Sequence, residues 1–148
     1  MDFPQRVLIV DDDPIQRAVL KQVFSSHGST MVAGAADGLV AISTIENAAE
    51  SFDLIVLDLM MPEYDGISLI SYLESQNARA ALLLISGLPQ RIVEMSNTLA
   101  EVSGLRSIGS LQKPIILEDL LAVVGGQRWH RRQGAKREHE KAVQIGQL

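Results

Sequence analysis

Residues 6–14 read Arg6-Val7-Leu8-Ile9-Val10-Asp11-Asp12-Asp13-Pro14. The first part of this stretch is mainly apolar and β-branched, which is typical of a strand buried on both faces of a parallel sheet. Three carboxylates follow. Asp13 and Pro14 predict the start of a helix, because aspartate caps helix N-termini and proline fits the first helical turn. The stretch therefore predicts a strand–helix unit with an acidic junction.

The same alternation continues through the first 125 residues. Further strands are predicted over 30–35, 53–57, 80–85 and 106–111, and helices over 14–27, 37–49, 66–75, 89–103 and 117–124. In the helix over 37–49, Leu39, Val40, Ile42 and Ile45 are expected to face inward. Strands that alternate with helices form βαβ units, so the predicted fold class is α/β, a five-stranded parallel sheet, doubly wound, with helices on both faces.

Length and charge suggest how the chain is divided. Its 148 residues fit one domain, predicted over 1–125, with 126–148 as a basic C-terminal tail that is helical or partly disordered. The first 125 residues hold 7 Lys and Arg against 16 Asp and Glu, whereas the tail holds 6 against 2. This acidity argues against a nucleic-acid partner, because binding to phosphates needs clustered Lys and Arg. The tail's Trp129, Val143, Ile145 and Leu148 leave partner docking or a homodimer open.

Composition excludes several classes of protein. The chain has no cysteine, which excludes disulfide scaffolds, thiolate zinc sites and cysteine nucleophiles. The N-terminus lacks a basic segment followed by a long apolar stretch, and no run approaches the roughly 18 apolar residues of a membrane span. We therefore expect a cytoplasmic protein without a membrane partner.

Polar side chains follow four of the five predicted strands. Asp11 and Asp12 follow the first strand, Asp58 the third, Ser86 the fourth and Lys113 the fifth. In doubly wound sheets, ligands bind beyond the carboxyl ends of the strands. Each residue alone has an ordinary explanation, such as helix capping, a turn or a surface position. Their joint order favours a site.

The chemistry of that site follows from its charges. Asp58 interrupts an apolar run, where an unpaired charge costs energy. If Asp11, Asp12 and Asp58 converge, their carboxylates repel one another unless a divalent cation binds, and oxygen ligands suit Mg²⁺. Lys113 would supply a positive charge and Ser86 a hydroxyl. These groups together indicate a site for placing a phosphoryl group on Asp58, whose carboxylate is the nucleophile.

Four motifs carry a family resemblance: 7–14, 53–62 with Asp65-Gly66, 84–87, and Lys113-Pro114. On these motifs, residues 5–125 resemble the receiver domain of two-component response regulators. The resemblance implies a flavodoxin-like sheet with strand order 2-1-3-4-5. It also implies a cis peptide bond between Lys113 and Pro114.

The same resemblance assigns roles to the candidate residues. It implies that Asp11, Asp12 and Asp58 hold Mg²⁺, with the Met60 backbone carbonyl completing the metal shell. Asp58 would accept phosphate from a sensor histidine kinase or a phosphotransfer protein. By the same resemblance, Ser86 and Lys113 would bind the phosphoryl oxygens.

Two features refine this resemblance. Receivers usually carry Tyr or Phe three residues before the lysine, and this position is Ser110 here, so the usual aromatic part of the conformational switch is absent. The stretch 104–115 is also similar to receivers that precede cyclic-di-GMP phosphodiesterase domains.

Three functions remain open from the sequence. The leading one is a phosphoacceptor receiver that is not an enzyme and that contacts a downstream protein target or relays phosphate in a phosphorelay. The second is a magnesium-dependent phosphohydrolase with an aspartyl-phosphate intermediate. Such an enzyme is expected to carry a general acid two residues after the nucleophile, where this chain has Met60. The third is a phosphate-independent interaction module, against which the intact set of polar residues argues.

Overall fold

A computed structural model describes residues 2–59, 61, 66–87, 94, 98 and 104–129. The described strands are β1 (Arg6–Val10), β2 (Met31–Ala35), β3 (Leu54–Asp58), β4 (Ala81–Ser86) and β5 (Arg106–Gln112). The helices with described bounds are α1 (Pro14–Ser26), α2 (Gly38–Asn47), α3 (Gly66–Ser75) and α4 (Leu117–Gly125). In this part of the chain, no helix is both long and apolar enough to cross a membrane.

The five strands form one parallel sheet in the order β2-β1-β3-β4-β5. The α/β prediction and the flavodoxin-like strand order are therefore confirmed. Every residue of β3 and β4 is buried, because helices cover both faces of the sheet. All five carboxyl ends lie along one edge, which we call the carboxyl edge.

Among the described residues, two apolar clusters form the core, one on each face of the sheet. Successive side chains of a strand point to opposite faces, and β1 and β3 divide their residues accordingly. Leu8, Val10, Ile55 and Leu57 pack with α2 and α3. Val7, Ile9, Leu54 and Val56 pack with α1 and α4. The apolar runs in the sequence thus hold the sheet between two layers of helices.

The expected inner face of α2 is wrong in part. Leu39 is 60% exposed and Val40 is 44% exposed, whereas Ala41 is completely buried. Ile42 and Ile45 do pack against the core. The four apolar residues span a wider arc than the helix can bury, since each residue turns the helix by about 100°. Small Ala41 lies at the contact, so its neighbours Leu39 and Val40 point towards solvent.

The predicted helix over 89–103 lies mostly outside the described residues. Glu94 and Thr98 are described and both are helical. The Thr98 hydroxyl donates a hydrogen bond of 3.0 Å to the Glu94 carbonyl, which is the i to i−4 spacing of a helix.

The chain after α4 turns back onto the domain. The Trp129 indole N–H donates to the Val124 carbonyl at 2.9 Å, and its ring packs against the core cluster beneath α1 and α4. The Arg106 guanidinium lies 5.4 Å from the centre of this ring, within the range of a cation–π contact. The predicted boundary between domain and tail stays a prediction.

Candidate functional site

The turn between β1 and α1 fixes the first acidic residue. Asp11 is buried, and its Oδ1 accepts a hydrogen bond of 2.9 Å from the Asp13 amide. Asp13 in turn caps α1, because its Oδ1 accepts from the Ile15 amide at 2.9 Å. Asp12 lies between them and is exposed. The three aspartates therefore differ in role: Asp13 caps the helix, whereas Asp11 and Asp12 are the candidates for the functional site.

The end of β3 places Asp58 on the carboxyl edge, where its side chain is only 2% exposed. Gly66, the first residue of α3, packs directly on this strand end. A Cβ at position 66 would lie 2.6 Å from the Asp58 carbonyl oxygen and 2.8 Å from the Leu59 Cα, so only glycine fits without movement of the backbone. The sequence motif included Gly66, but the glycine's role emerges only from this close approach.

Lys113 brings a positive charge to the acidic residues. Its Nζ lies 2.9 Å from Asp58 Oδ2 and 3.7 Å from Asp11 Oδ2. Its backbone amide donates to the carbonyl of Ser86, the buried last residue of β4. The bond between Lys113 and Pro114 is cis, as predicted. Lys113 and Ser86 are therefore neighbours on the carboxyl edge, where the Lys113 side chain contacts the acidic residues.

Burial and neighbouring charges shift the pKa values of Asp11 and Lys113. Burial raises the pKa of Asp11, and the negative charge of Asp58 adds to this, although the hydrogen bond from Asp13 and the charge of Lys113 oppose it. Burial alone would lower the pKa of Lys113, but its hydrogen bond and ion pair with Asp58 outweigh burial, and the pKa is raised. Lys113 is therefore held as a cation, and Asp11 carries a charge that burial disfavours.

The acidic pocket, which we define as Asp11, Asp12 and Asp58, fits a divalent cation. One carboxylate oxygen from each residue lies within 4.8 Å of the others. Asp11 Oδ2 is buried and accepts no hydrogen bond from any described residue. A buried oxygen without a donor is suited to a cation, and carboxylates are ligands that Mg²⁺ prefers. The predicted fourth ligand, the Met60 carbonyl, lies outside the described residues.

Residues 7–125 match the family model of the response regulator receiver domain. The chain belongs to this family. The match covers all five strands from Val7 onwards and the whole acidic pocket, so this region is a phosphoacceptor receiver domain of two-component signal transduction, a signalling domain.

Known proteins similar to this receiver differ in how far they extend beyond it. The chain is 42% identical over 84 residues to a protein-glutamate methylesterase/protein-glutamine glutaminase of Myxococcus xanthus, covering 56% of this chain but 24% of that protein. It is 33% identical over 86 residues to the chemotaxis protein CheY of Bacillus subtilis, covering 58% and 70%. Thus the chain spans about a quarter of the first relative.

A solved receiver structure bears on the chemistry of the site. The CheX–CheY–BeF3–Mg complex of Borrelia burgdorferi contains a chain that is 30% identical to this receiver, with a TM-score of 0.71 and coverage of 84% of this chain and 89% of that chain. That similar receiver was solved with magnesium and a beryllofluoride group in the complex.

Proposed function

We propose that Asp58 accepts a phosphoryl group from a phosphohistidine of a sensor histidine kinase or phosphotransfer protein. A carboxylate oxygen of Asp58 attacks phosphorus, the phosphorus–nitrogen bond breaks, and the histidine nitrogen leaves with the bonding electron pair. The main support is the position of Asp58, a buried carboxylate at the carboxyl edge with the Lys113 ammonium at 2.9 Å. After transfer, the Lys113 ammonium is proposed to contact a phosphoryl oxygen. The hydroxyl of Ser86 is proposed to donate a hydrogen bond to another phosphoryl oxygen.

We propose Mg²⁺ as the cofactor, held by Asp11, Asp12, Asp58 and the Met60 carbonyl. Support comes from the clustered carboxylate oxygens and from the buried Asp11 Oδ2. Bound Mg²⁺ would neutralise charge on the phosphoryl oxygens. The protein's own contribution is to hold the carboxylates together in the folded state. Intact-mass analysis after incubation with acetyl phosphate and Mg²⁺ tests both proposals, since we expect a gain of one phosphate that a chelator prevents.

We propose that the phosphodonor protein docks beside α1. Ile15 and Val19 on α1 are 74% and 55% exposed, and Ile116 and Leu117 before and at the start of α4 are 59% and 51% exposed. Helices α1 and α4 cover the same face of the sheet, and Ile15 and Ile116 each follow a strand end near the acidic pocket. Exposed apolar residues grouped next to a reactive site favour a protein partner.

Ile15→Ala is expected to slow phosphotransfer from a phosphorylated histidine phosphotransfer protein about tenfold, because an anchoring side chain contributes more than about 1 kcal/mol. Phosphorylation by acetyl phosphate should not change. Leu39→Ala is the matched control, since Leu39 is an exposed leucine on α2, which packs on the opposite face. Equal slowing by both substitutions, or slowing with acetyl phosphate, would contradict this docking site.

The output of the domain is proposed as a downstream protein contact or onward phosphotransfer in the cytoplasm. Ser110 of β5, paired with Leu84 of β4, replaces the aromatic residue of other receivers, so other residues would have to carry the conformational signal.

Two further proposals come from the sequence. The sequence of 104–115 supports a receiver type associated with cyclic-di-GMP phosphodiesterases. The apolar residues of the tail support a homodimer.

The lifetime of the phosphate is expected to depend on Met60 and Leu88, two residues beyond Asp58 and Ser86. Both positions lie outside the described residues, and this expectation follows from their sequence spacing. Hydrolysis needs a water aligned with phosphorus, and an apolar side chain cannot orient it. Met60→Asn combined with Leu88→Glu should accelerate phosphate loss at least about tenfold. An equal or slower rate, with unchanged Mg²⁺ affinity, would refute this.

A further inference from the structure

The side chain of Arg17 folds back from α1 to the end of β1. Its Nη1 donates a hydrogen bond of 2.6 Å to the backbone carbonyl of Asp11, and this bond is partly buried. The backbone of Arg17 is fixed independently, because its amide donates to the Asp13 carbonyl at 3.0 Å in the first turn of the helix. The side chain therefore links a rigid helix to the turn that carries the acidic pocket.

Gly34 of β2 provides the path for this side chain. A Cβ at Gly34 would lie 3.5 Å from Arg17 Cδ and 3.8 Å from Arg17 Nε. Such a methyl group would be in ordinary van der Waals contact, whereas a branched side chain would extend into the space that Arg17 occupies. The arginine is thus placed by its helix on one side and by the neighbouring strand on the other.

The acceptor of this bond is close to the chemistry. The Asp11 carbonyl and the Asp12 amide belong to one planar peptide group, so a bond to the carbonyl restrains the rotation of the whole plane. That plane sets the direction in which the chain enters Asp12. Asp12 is exposed, yet one of its carboxylate oxygens lies within 4.8 Å of a carboxylate oxygen of Asp58, so the orientation of this peptide bears on where that carboxylate lies.

We propose that Arg17 is a positioning residue for the acidic pocket, holding the peptide between Asp11 and Asp12 so that the Asp12 carboxylate is preorganised for a cation. This inference rests on the proposed Mg²⁺ site. It also predicts a change in Mg²⁺ affinity on removal of Arg17 that is opposite in direction to the change that electrostatics alone predicts. Removal of a positive charge beside carboxylates strengthens cation binding by Coulomb's law, whereas loss of positioning weakens it.

The test compares Arg17→Ala and Arg17→Lys with Arg79→Ala, which removes the same charge from an exposed residue just before β4, at the opposite edge of the sheet. Mg²⁺ affinity is measured by calorimetry without any phosphodonor. We expect about a tenfold weaker affinity for Arg17→Ala, in the range seen when a group that orients a ligand is lost. Arg17→Lys should restore part of the affinity, and Arg79→Ala should match the parent.

A second readout does not involve the metal. In chelator, amide hydrogen exchange is followed at Asp13, whose N–H donates to Asp11 Oδ1, and at Leu57 within β3. Arg17→Ala should accelerate exchange about tenfold at Asp13 and leave Leu57 unchanged. Gly34→Val should act in the same direction with every charge retained, while Gly34→Ala should match the parent.

Three results would overturn the inference: Mg²⁺ affinity that is unchanged or higher in Arg17→Ala, unchanged exchange at Asp13, or equal acceleration at Asp13 and Leu57, which would indicate general destabilisation. If the parent protein itself binds no Mg²⁺, the proposed metal site fails, and the exchange measurement alone then decides whether Arg17 holds the turn.

Discussion

Asp58→Asn is expected to abolish phosphorylation of the protein. Asn cannot act as a carboxylate nucleophile, and it also removes the negative charge that Lys113 contacts at 2.9 Å. The variant keeps the size of the side chain, so the buried end of β3 should stay packed. In intact-mass analysis with acetyl phosphate and Mg²⁺, the parent should gain one phosphate and the variant none, because the substitution removes the nucleophilic carboxylate.

The matched control is Asp119→Asn, which changes an exposed carboxylate on α4. This control should be phosphorylated like the parent. Circular dichroism and the free energy of unfolding establish that Asp58→Asn is folded. A gain of one phosphate by folded Asp58→Asn under the same conditions would show that another residue is the acceptor.

Asp12→Ala is expected to weaken Mg²⁺ binding by at least about 100-fold, since it removes a whole charged ligand rather than a group that orients one. Calorimetric titration with Mg²⁺ measures this directly. Phosphorylation by acetyl phosphate should fall in parallel. An unchanged Mg²⁺ affinity in the folded variant would exclude Asp12 from the metal site.

The same substitution should not lower the stability of the metal-free protein. The charge of Asp12 is one cause of the raised pKa of Asp11. A folded pKa above the unfolded value destabilises the folded protein, and this cost is absent below pH 3.8 and grows as pH rises from there. At neutral pH in chelator, Asp12→Ala should therefore be as stable as the parent or slightly more stable in urea unfolding.

Magnesium should reverse this order of stability. Free Mg²⁺ at about 100 times the Kd stabilises a folded protein by about 2.7 kcal/mol, and the parent should gain this while Asp12→Ala should not. Asp37→Ala is unsuitable as a control, because Asp37 caps α2. Asp119→Ala serves instead, and it should respond to Mg²⁺ as the parent does. A variant stabilised by Mg²⁺ to the same extent as the parent would contradict the assignment.

The fold was predictable because its information is local. The apolar run of β1, the cap at Asp13 and Gly28, which follows α1, fix these elements through neighbours in sequence. Strand ends shift by only a residue or two, as in β3, where Asp58 belongs to the strand itself. The exposed faces were less predictable. Leu39 and Val40 satisfy the helical period, yet only packing against the sheet decides which apolar residues are covered.

The parallel sheet and the polar residues that follow its strands could be predicted from the sequence, since parallel strands must bring their carboxyl ends to one edge. How these residues meet became clear only from the folded structure. It joins Lys113 to Asp58 across 55 residues of sequence, leaves Asp11 Oδ2 without a hydrogen-bond donor among the described residues, and turns Arg17 back to the Asp11 carbonyl. Sequence patterns indicate which residues form each strand and helix, whereas these contacts depend on distances of a few ångströms between separate elements, which no periodicity encodes.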